Sequence, residues 1–201
     1  MAMKSAFPIF DWMAARIARG EDSCLSGLRD FDVIENFFDS SRANQIFEQL
    51  QTDVEWAGMR WNGWHLLPQR AFEYKTAQRK AQPNSVLEDL IRCVEEQHAV
   101  KVHQLFCNLL RDGNDHIEWH QDSYGAHLFV ASFGQTRTVE YRAKQSKELI
   151  TSHEAQAGSL YYVSPNYDRA HEHRVPKVAA NIGPRISIAM FCYSVILPRD
   201  V

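Results

Sequence analysis

Phe106-Cys107-Asn108-Leu109-Leu110-Arg111-Asp112-Gly113-Asn114-Asp115-His116-Ile117-Glu118-Trp119-His120-Gln121-Asp122 is the stretch on which the reading of this chain turns. It opens as an apolar strand, breaks at Arg111-Asp112-Gly113-Asn114-Asp115, whose residues favour turns, and resumes as a second short run. Residues two apart on a strand point to the same side, so His120 and Asp122 can reach one ion without backbone distortion. A distant His173 would complete a set of two imidazoles and one carboxylate. Such a set covers one face of an octahedral ion and leaves other positions open, as in non-haem Fe(II) oxygenases. A lone His-x-Asp is common by chance and is usually a solvated pair, so the surrounding residues must carry the case.

Outward from this stretch the texture of the chain differs on its two sides. Residues 102–110, 126–132, 136–141, 159–163 and 186–193 are short apolar or alternating runs between turn formers and are predicted strands. Many short strands at this spacing suggest a sandwich or barrel. Before residue 100, apolar residues recur at helical spacing over 10–18 and 41–50, the latter behind an Asp39-Ser40-Ser41 cap region. A further helix is expected over 86–98, capped by Asn84 or Ser85, with Val86, Leu87, Leu90, Ile91 and Val94 as one buried stripe. No repeat or low-complexity linker divides the chain. The expectation is a single domain over 1–201, with a mainly helical part over 1–100 and a β-rich core over 101–201.

Composition narrows the function classes. With 45% hydrophobic and 11% aromatic residues, 201 residues can bury a substantial core. Four cysteines lie far apart with no C-x-x-C pair, which favours a reduced, intracellular (cytoplasmic or nuclear) protein. No long apolar run or leader suggests export or a membrane span. A formal charge of -3 gives no global pull toward nucleic acid. Locally, Arg60, Arg70, Lys75, Arg79 and Lys80 interleave with Trp61, Trp64, Phe72 and Tyr74. That mixture suits either a backbone-tracking, base-stacking surface or a solvated loop with core aromatics.

In three ordered places the residues resemble the AlkB-like family of Fe(II)/2-oxoglutarate-dependent dioxygenases. The stretch 106–122 is similar to the family's Asn-x-Tyr segment, Asp-Gly loop and His-x-Asp strand. Gly158-Ser159-Leu160, then His173-Arg174-Val175-Pro176, resemble its Gly-Ser-Leu strand and His-x-x-Pro turn, and Gly183-Pro184-Arg185-Ile186-Ser187-Ile188 its cosubstrate strand. The resemblance implies an α+β, mainly β double-stranded β-helix (jelly roll) with packed N-terminal helices. It also implies Fe(II) held by His120, Asp122 and His173, and 2-oxoglutarate held by Arg185 with hydrogen bonds from Asn108 and Ser187. A guanidinium fork suits a carboxylate and keeps its charge. His171 and the pair His116 and Glu118 remain competing donors.

Three departures bear on what the resemblance implies. Phe191 stands where the family has a second arginine, Leu110 where it has the tyrosine of Asn-x-Tyr, and Ser123-Tyr124-Gly125 where repair members often carry an acidic pair. The resemblance implies oxidative demethylation of alkylated nucleobases in DNA or RNA, with O2 and 2-oxoglutarate as cosubstrates, by a monomer. Arg70, Trp119 and Tyr124 are the candidate substrate contacts, Trp119 being equally suited to the core. The alternatives are a hydroxylase of a protein side chain or small metabolite, and a non-catalytic jelly-roll metal-binding module.

Overall fold

The computed structural model describes residues 25, 27–61, 65–122, 125–178 and 181–194. The helix expected over 10–18, and Tyr124, lie outside the described residues. Three strands and three helices come first: β1 (Phe31–Ile34), α1 (Ser40–Asp53), β2 (Ala57–Trp61), β3 (His65–Lys75), α2 (Thr76–Ala81) and α3 (Ser85–His98). Then come β4 (Val100–Leu110), β5 (Ile117–His120), β6 (His127–Gly134), β7 (Arg137–Ala143), β8 (Leu149–Ala155) and β9 (Leu160–Val163). The chain closes with α4 (Pro165–Ala170), β10 (His171–Val175) and β11 (Arg185–Ser194).

Local chemistry sets the helix starts. The Asp39 carboxylate accepts from the Arg42 amide at 2.9 Å, and the Asn84 side-chain oxygen accepts from the Leu87 amide at 3.0 Å. Each thereby satisfies an amide that the first helical turn leaves without a partner. From those caps α1 buries Ala43, Ile46 and Leu50, and α3 buries the apolar stripe expected of it.

Two antiparallel sheets make the jelly roll. The larger runs in the order β1-β9-β6-β11-β4-β3-β2, and the smaller in the order β5-β10-β7-β8. Strand β11 is flanked along most of its length by β4 and β6. Ile186, Ile188 and Met190 pack toward α1 and α3, while Ala189 and Phe191 face Val139, Tyr141 and Val175 of the smaller sheet. Arg185 and Ser187 share the inward side with Ala189 and Phe191, since side chains alternate along a strand. The polar residues therefore collect at one end of the barrel interior.

Among the described residues before 100, the helices are interleaved with strands that the sequence did not suggest. These are β1, β2 and β3, and β3 joins the large sheet beside β4. Its period-2 pattern is hidden because the side toward the barrel interior carries Gln69 and Ala71 rather than large apolar residues. Strands β8 and β10 also escape the expectation. Leu149-Ile150-Thr151-Ser152-His153-Glu154-Ala155 is largely exposed, and His171-Glu172-His173-Arg174-Val175 is largely polar.

Gly158 locks the corner where β9 begins. Its φ is +81°, its amide donates to the Ser132 carbonyl at 2.8 Å, and its carbonyl accepts from the Phe38 amide at 3.0 Å. A Cβ here would collide with the Phe38 carbonyl oxygen. Gly158→Ala should cost roughly 2 kcal/mol of unfolding free energy, from left-handed strain plus this clash, measurable by urea denaturation.

Candidate active site

His120 ends β5 and His173 lies in the middle of β10, and the antiparallel pairing sets them directly opposite each other, with ring centroids 4.1 Å apart. Asp122, two residues beyond His120, turns its carboxylate between the rings. Its oxygens lie 3.7 Å from His120 Nε2 and 3.6 Å from His173 Nε2. These gaps are too long for hydrogen bonds. The three ligand atoms fall within 4.8 Å of one another and converge on a common point, the only such group of metal-binding donors among the described residues.

The surroundings prepare these atoms as ligands. The His120 Nδ1–H donates to the Glu118 carbonyl at 2.8 Å, which leaves the Nε2 lone pair facing inward. Burial, then the neighbouring His120 and His153, holds His173 well below the ordinary histidine range, so its imidazole is neutral. The Tyr141 ring stacks on His173 at 5.3 Å and fixes its plane. Burial raises the Asp122 carboxyl, an effect that His120 only partly offsets. Two imidazoles that turn Nε2 inward and a carboxylate short of positive charge fit a divalent ion.

Helix α4 braces the same strand end. Ser164 caps it by accepting from the Tyr167 amide at 3.1 Å. The Asp168 carbonyl then accepts from Gln121 Nε2 at 2.8 Å, and the Asp168 carboxylate from the Asp122 amide at 3.3 Å. Arg137 holds the other approach. Its buried guanidinium donates to the carbonyls of Asp112, Asp115 and Pro176, tying the loop before β5 to the turn after β10. Burial alone would raise the Asp115 carboxyl, but hydrogen bonds from Arg111 hold it below the ordinary range.

The competing donors go elsewhere. His171 stacks on Tyr167 at 3.9 Å and donates through Nδ1 to the Tyr167 carbonyl. His116 bonds to Glu118 at 2.8 Å and to the Asn114 carbonyl.

A cavity of about 350 Å³ opens over the three donors, within the range of small-ligand sites. Asn108, Arg185, Ser187 and Phe191 line it from the large sheet, and Ile117, Trp119 and Val175 from the small one. Asn108 and Ser187 are cross-strand neighbours on β4 and β11. Arg185 is 1% exposed and donates to Ser132 Oγ at 3.0 Å. Its Nε and Nη1 are buried with no hydrogen-bond partner, and no carboxylate among the described residues pairs with it. A buried, uncompensated guanidinium beside a cavity is what an anionic ligand would satisfy.

The expected substrate contacts are placed differently. Arg70 is exposed and does not line the cavity, because it alternates with Gln69, which does. Trp119 borders the cavity, but its ring is clasped by the Arg142 and Arg174 guanidinia at 4.2 and 4.6 Å, so it is not a core residue. Of the basic and aromatic segment, Tyr74 is buried and donates to Glu88 at 2.9 Å, and Phe72 packs against the helices; both are core aromatics rather than stacking platforms. Sequence reasoning missed Arg137, Tyr141, His153, Tyr161 and Asp168. Only Asp168 carried a signal, the helix start Ser164-Pro165.

His153 lies inside the barrel with both ring nitrogens buried and unpartnered. Burial, with help from the charge on Arg185, pushes it from 6.5 down to about 4. Between those values the unfolded chain binds a proton that the folded chain does not, so stability falls as pH drops through the window. His153 should account for at most roughly 3 kcal/mol of that loss. Chemical denaturation at pH 6.5 and pH 4 should show a smaller difference in His153→Phe than in the native chain.

Comparison with models of protein families finds no match. Among curated proteins the chain is similar to human alpha-ketoglutarate-dependent dioxygenase alkB homolog 3, 29% identical over 188 residues, covering 81% of this chain and 66% of that protein. The bovine homolog 3 is 28% identical over 192 residues with the same coverage, so the match spans just under two thirds of either relative's length. Among solved structures, OsALKBH1 superposes with a TM-score of 0.58 at 13% identity, over 82% of this chain and 99% of that one. An oxidoreductase of the 2OG-Fe(II) oxygenase family from Burkholderia pseudomallei gives 0.52 at 12% identity, over 96% and 93%. Both share the fold.

Proposed function

We propose that this chain, which belongs to the AlkB-like family of Fe(II)/2-oxoglutarate-dependent dioxygenases, uses that chemistry to remove methyl groups from alkylated nucleobases in DNA or RNA. One observation carries the reading. A convergent pair of imidazoles and a carboxylate shares a cavity with a buried guanidinium that has no counter-ion among the described residues.

His120, Asp122 and His173 would hold the iron, and Arg185 the distal carboxylate of 2-oxoglutarate. The Asn108 side-chain amide and the Ser187 hydroxyl would donate neutral hydrogen bonds to the same acid. When bound, iron with 2-oxoglutarate and O2 supplies a two-electron oxidation that converts a C–H bond to C–OH, with CO2 and succinate as by-products. The protein's part is to orient and to exclude water. Tyr141 keeps the His173 ring in plane, Asp168 and Arg137 brace both strand ends, and Phe106, Ile117 and Phe191 give the cavity apolar walls suited to a planar base. A methyl group on a ring nitrogen, once hydroxylated, leaves as formaldehyde.

A second reading keeps the oxygenase but exchanges the substrate for a protein side chain or small metabolite. It is favoured by the pairing of Arg142 with Glu172 and of Arg174 with Glu140, which neutralises basic residues beside the cavity.

The test is 2-oxoglutarate decarboxylation across a panel of methylated DNA and RNA oligonucleotides. Formaldehyde release should depend on Fe(II) and fall by more than about 100-fold in His120→Ala, the most that loss of a residue supporting a ligand usually costs. Turnover of 2-oxoglutarate with no action on any alkylated nucleic acid would move the assignment to the second reading. Binding of zinc but never of 2-oxoglutarate would leave a non-catalytic metal-binding module.

A further inference from the structure

Two inward positions of the barrel wall that could have offered donors to the acid are apolar. Leu110 is fully buried among hydrophobic side chains, and Phe191, 2% exposed, lines the cavity. A dicarboxylic acid gripped by Arg185 alone would have one of its distal oxygens poorly served, because a carboxylate offers about four acceptor sites and burial makes each unfilled one costly.

The same sheet, on the flank of β11 away from β4, carries what is missing. Tyr161 on β9 is 5% exposed and lines the same cavity. Arg185 donates to Ser132 of β6, the strand beside β9, so its guanidinium leans toward Tyr161. The Tyr161 phenol lies within side-chain reach of both Arg185 and Tyr141, while Arg185 Nε, Arg185 Nη1 and Tyr141 Oη are buried without a hydrogen-bond partner. The ring itself is fixed. It meets His153 edge-on at 4.8 Å and tilts against Phe31 at 6.5 Å.

From this cluster we infer that Tyr161 is a cosubstrate-positioning residue, whose hydroxyl donates to the distal carboxylate of 2-oxoglutarate beside Arg185 and supplies the contact that Leu110 and Phe191 do not. The inference rests on the reading of the pocket as a 2-oxoglutarate site. Burial pushes the Tyr161 hydroxyl up to about 12, so it keeps its proton and is a donor at neutral pH. Donation from a neutral hydroxyl to a buried carboxylate is a charge-assisted bond, stronger than a neutral one. The neutral His153 beside it leaves Arg185 as the one full positive charge facing the acid in this cluster.

Calorimetric titration of the full chain loaded with Mn(II), a metal that does not turn the cosubstrate over under anaerobic conditions, separates the possibilities. Pyruvate serves as the comparison acid, having the keto-acid end but no distal carboxylate. Tyr161→Phe keeps the ring and its packing, and should raise the Kd for 2-oxoglutarate about tenfold while leaving that for pyruvate unchanged. An unchanged Kd for 2-oxoglutarate, or equal weakening for both acids, overturns the role. A second measurement needs no substitution. In the native chain labelled with 13Cζ-tyrosine and loaded with diamagnetic zinc, one tyrosine resonance should move with 2-oxoglutarate and stay fixed with pyruvate. No tyrosine resonance that distinguishes the acids also overturns it. Failure of the unsubstituted, metal-loaded chain to bind 2-oxoglutarate at all would overturn the cosubstrate site itself, and this role with it.

Discussion

The candidate site depends on one short antiparallel pairing, β5 against β10, which brings His120 opposite His173. Neither strand is long, and neither is strongly apolar. A slip of one residue would turn one imidazole away from the barrel interior, since the side-chain period of a strand is two. The register is therefore held from outside the pair. Tyr141 of β7 stacks on His173 from the far side, Arg137 joins the loops that enter and leave the two strands, and α4 anchors the backbone of Asp122 through Asp168. Ile117 and Val175 pair across a bulge and pin the same ladder by burial.

That scaffold pays for a polar interior. Arg185, Tyr141, Tyr161 and His153 bring polar atoms inside a barrel that would be more stable filled with hydrocarbon, and several of those atoms have no partner. The cost is borne by the other face of the large sheet. There Ile186, Ile188 and Met190 join α1 and α3 in the larger of the two apolar clusters. Because β11 is apolar on that face and polar toward one end of the other, one strand serves both the core and the pocket. A fold with a single core would have to weaken its stability to gain the same pocket.

What was legible in the sequence follows from the same division. Capped helices α1 and α3 and strands such as β4 and β11 announce themselves, because their burial is apolar and periodic. Strand β3 did not, since it presents Gln69 and Ala71 to the interior. Likewise β8 and β10 are too polar to read as strands. The donors His120, Asp122 and His173 could be picked out because metal chemistry restricts which side chains serve. Tyr161 and His153 could not, since their importance comes from facing each other across two sheets, a relation that no local spacing encodes. Arg70 and Gln69 make the same point in miniature: adjacency to a motif does not decide which of two neighbours points inward.

Charge near the pocket limits how a nucleic-acid substrate could be recognised under the proposed function. Arg111 is paired with Asp115, Arg142 and Lys147 with Glu172, and Arg174 with Glu140. A phosphate approaching these cations must compete with a carboxylate already in place, and counterion release, which drives most non-specific binding, is correspondingly weak. Selectivity would then rest on the cavity, where Trp119 is held by two guanidinia over its ring and cannot swing freely. A rigid aromatic wall favours a base that is already unpaired or displaced from its stack, because the pocket contributes little of the long-range attraction that would help to extract one.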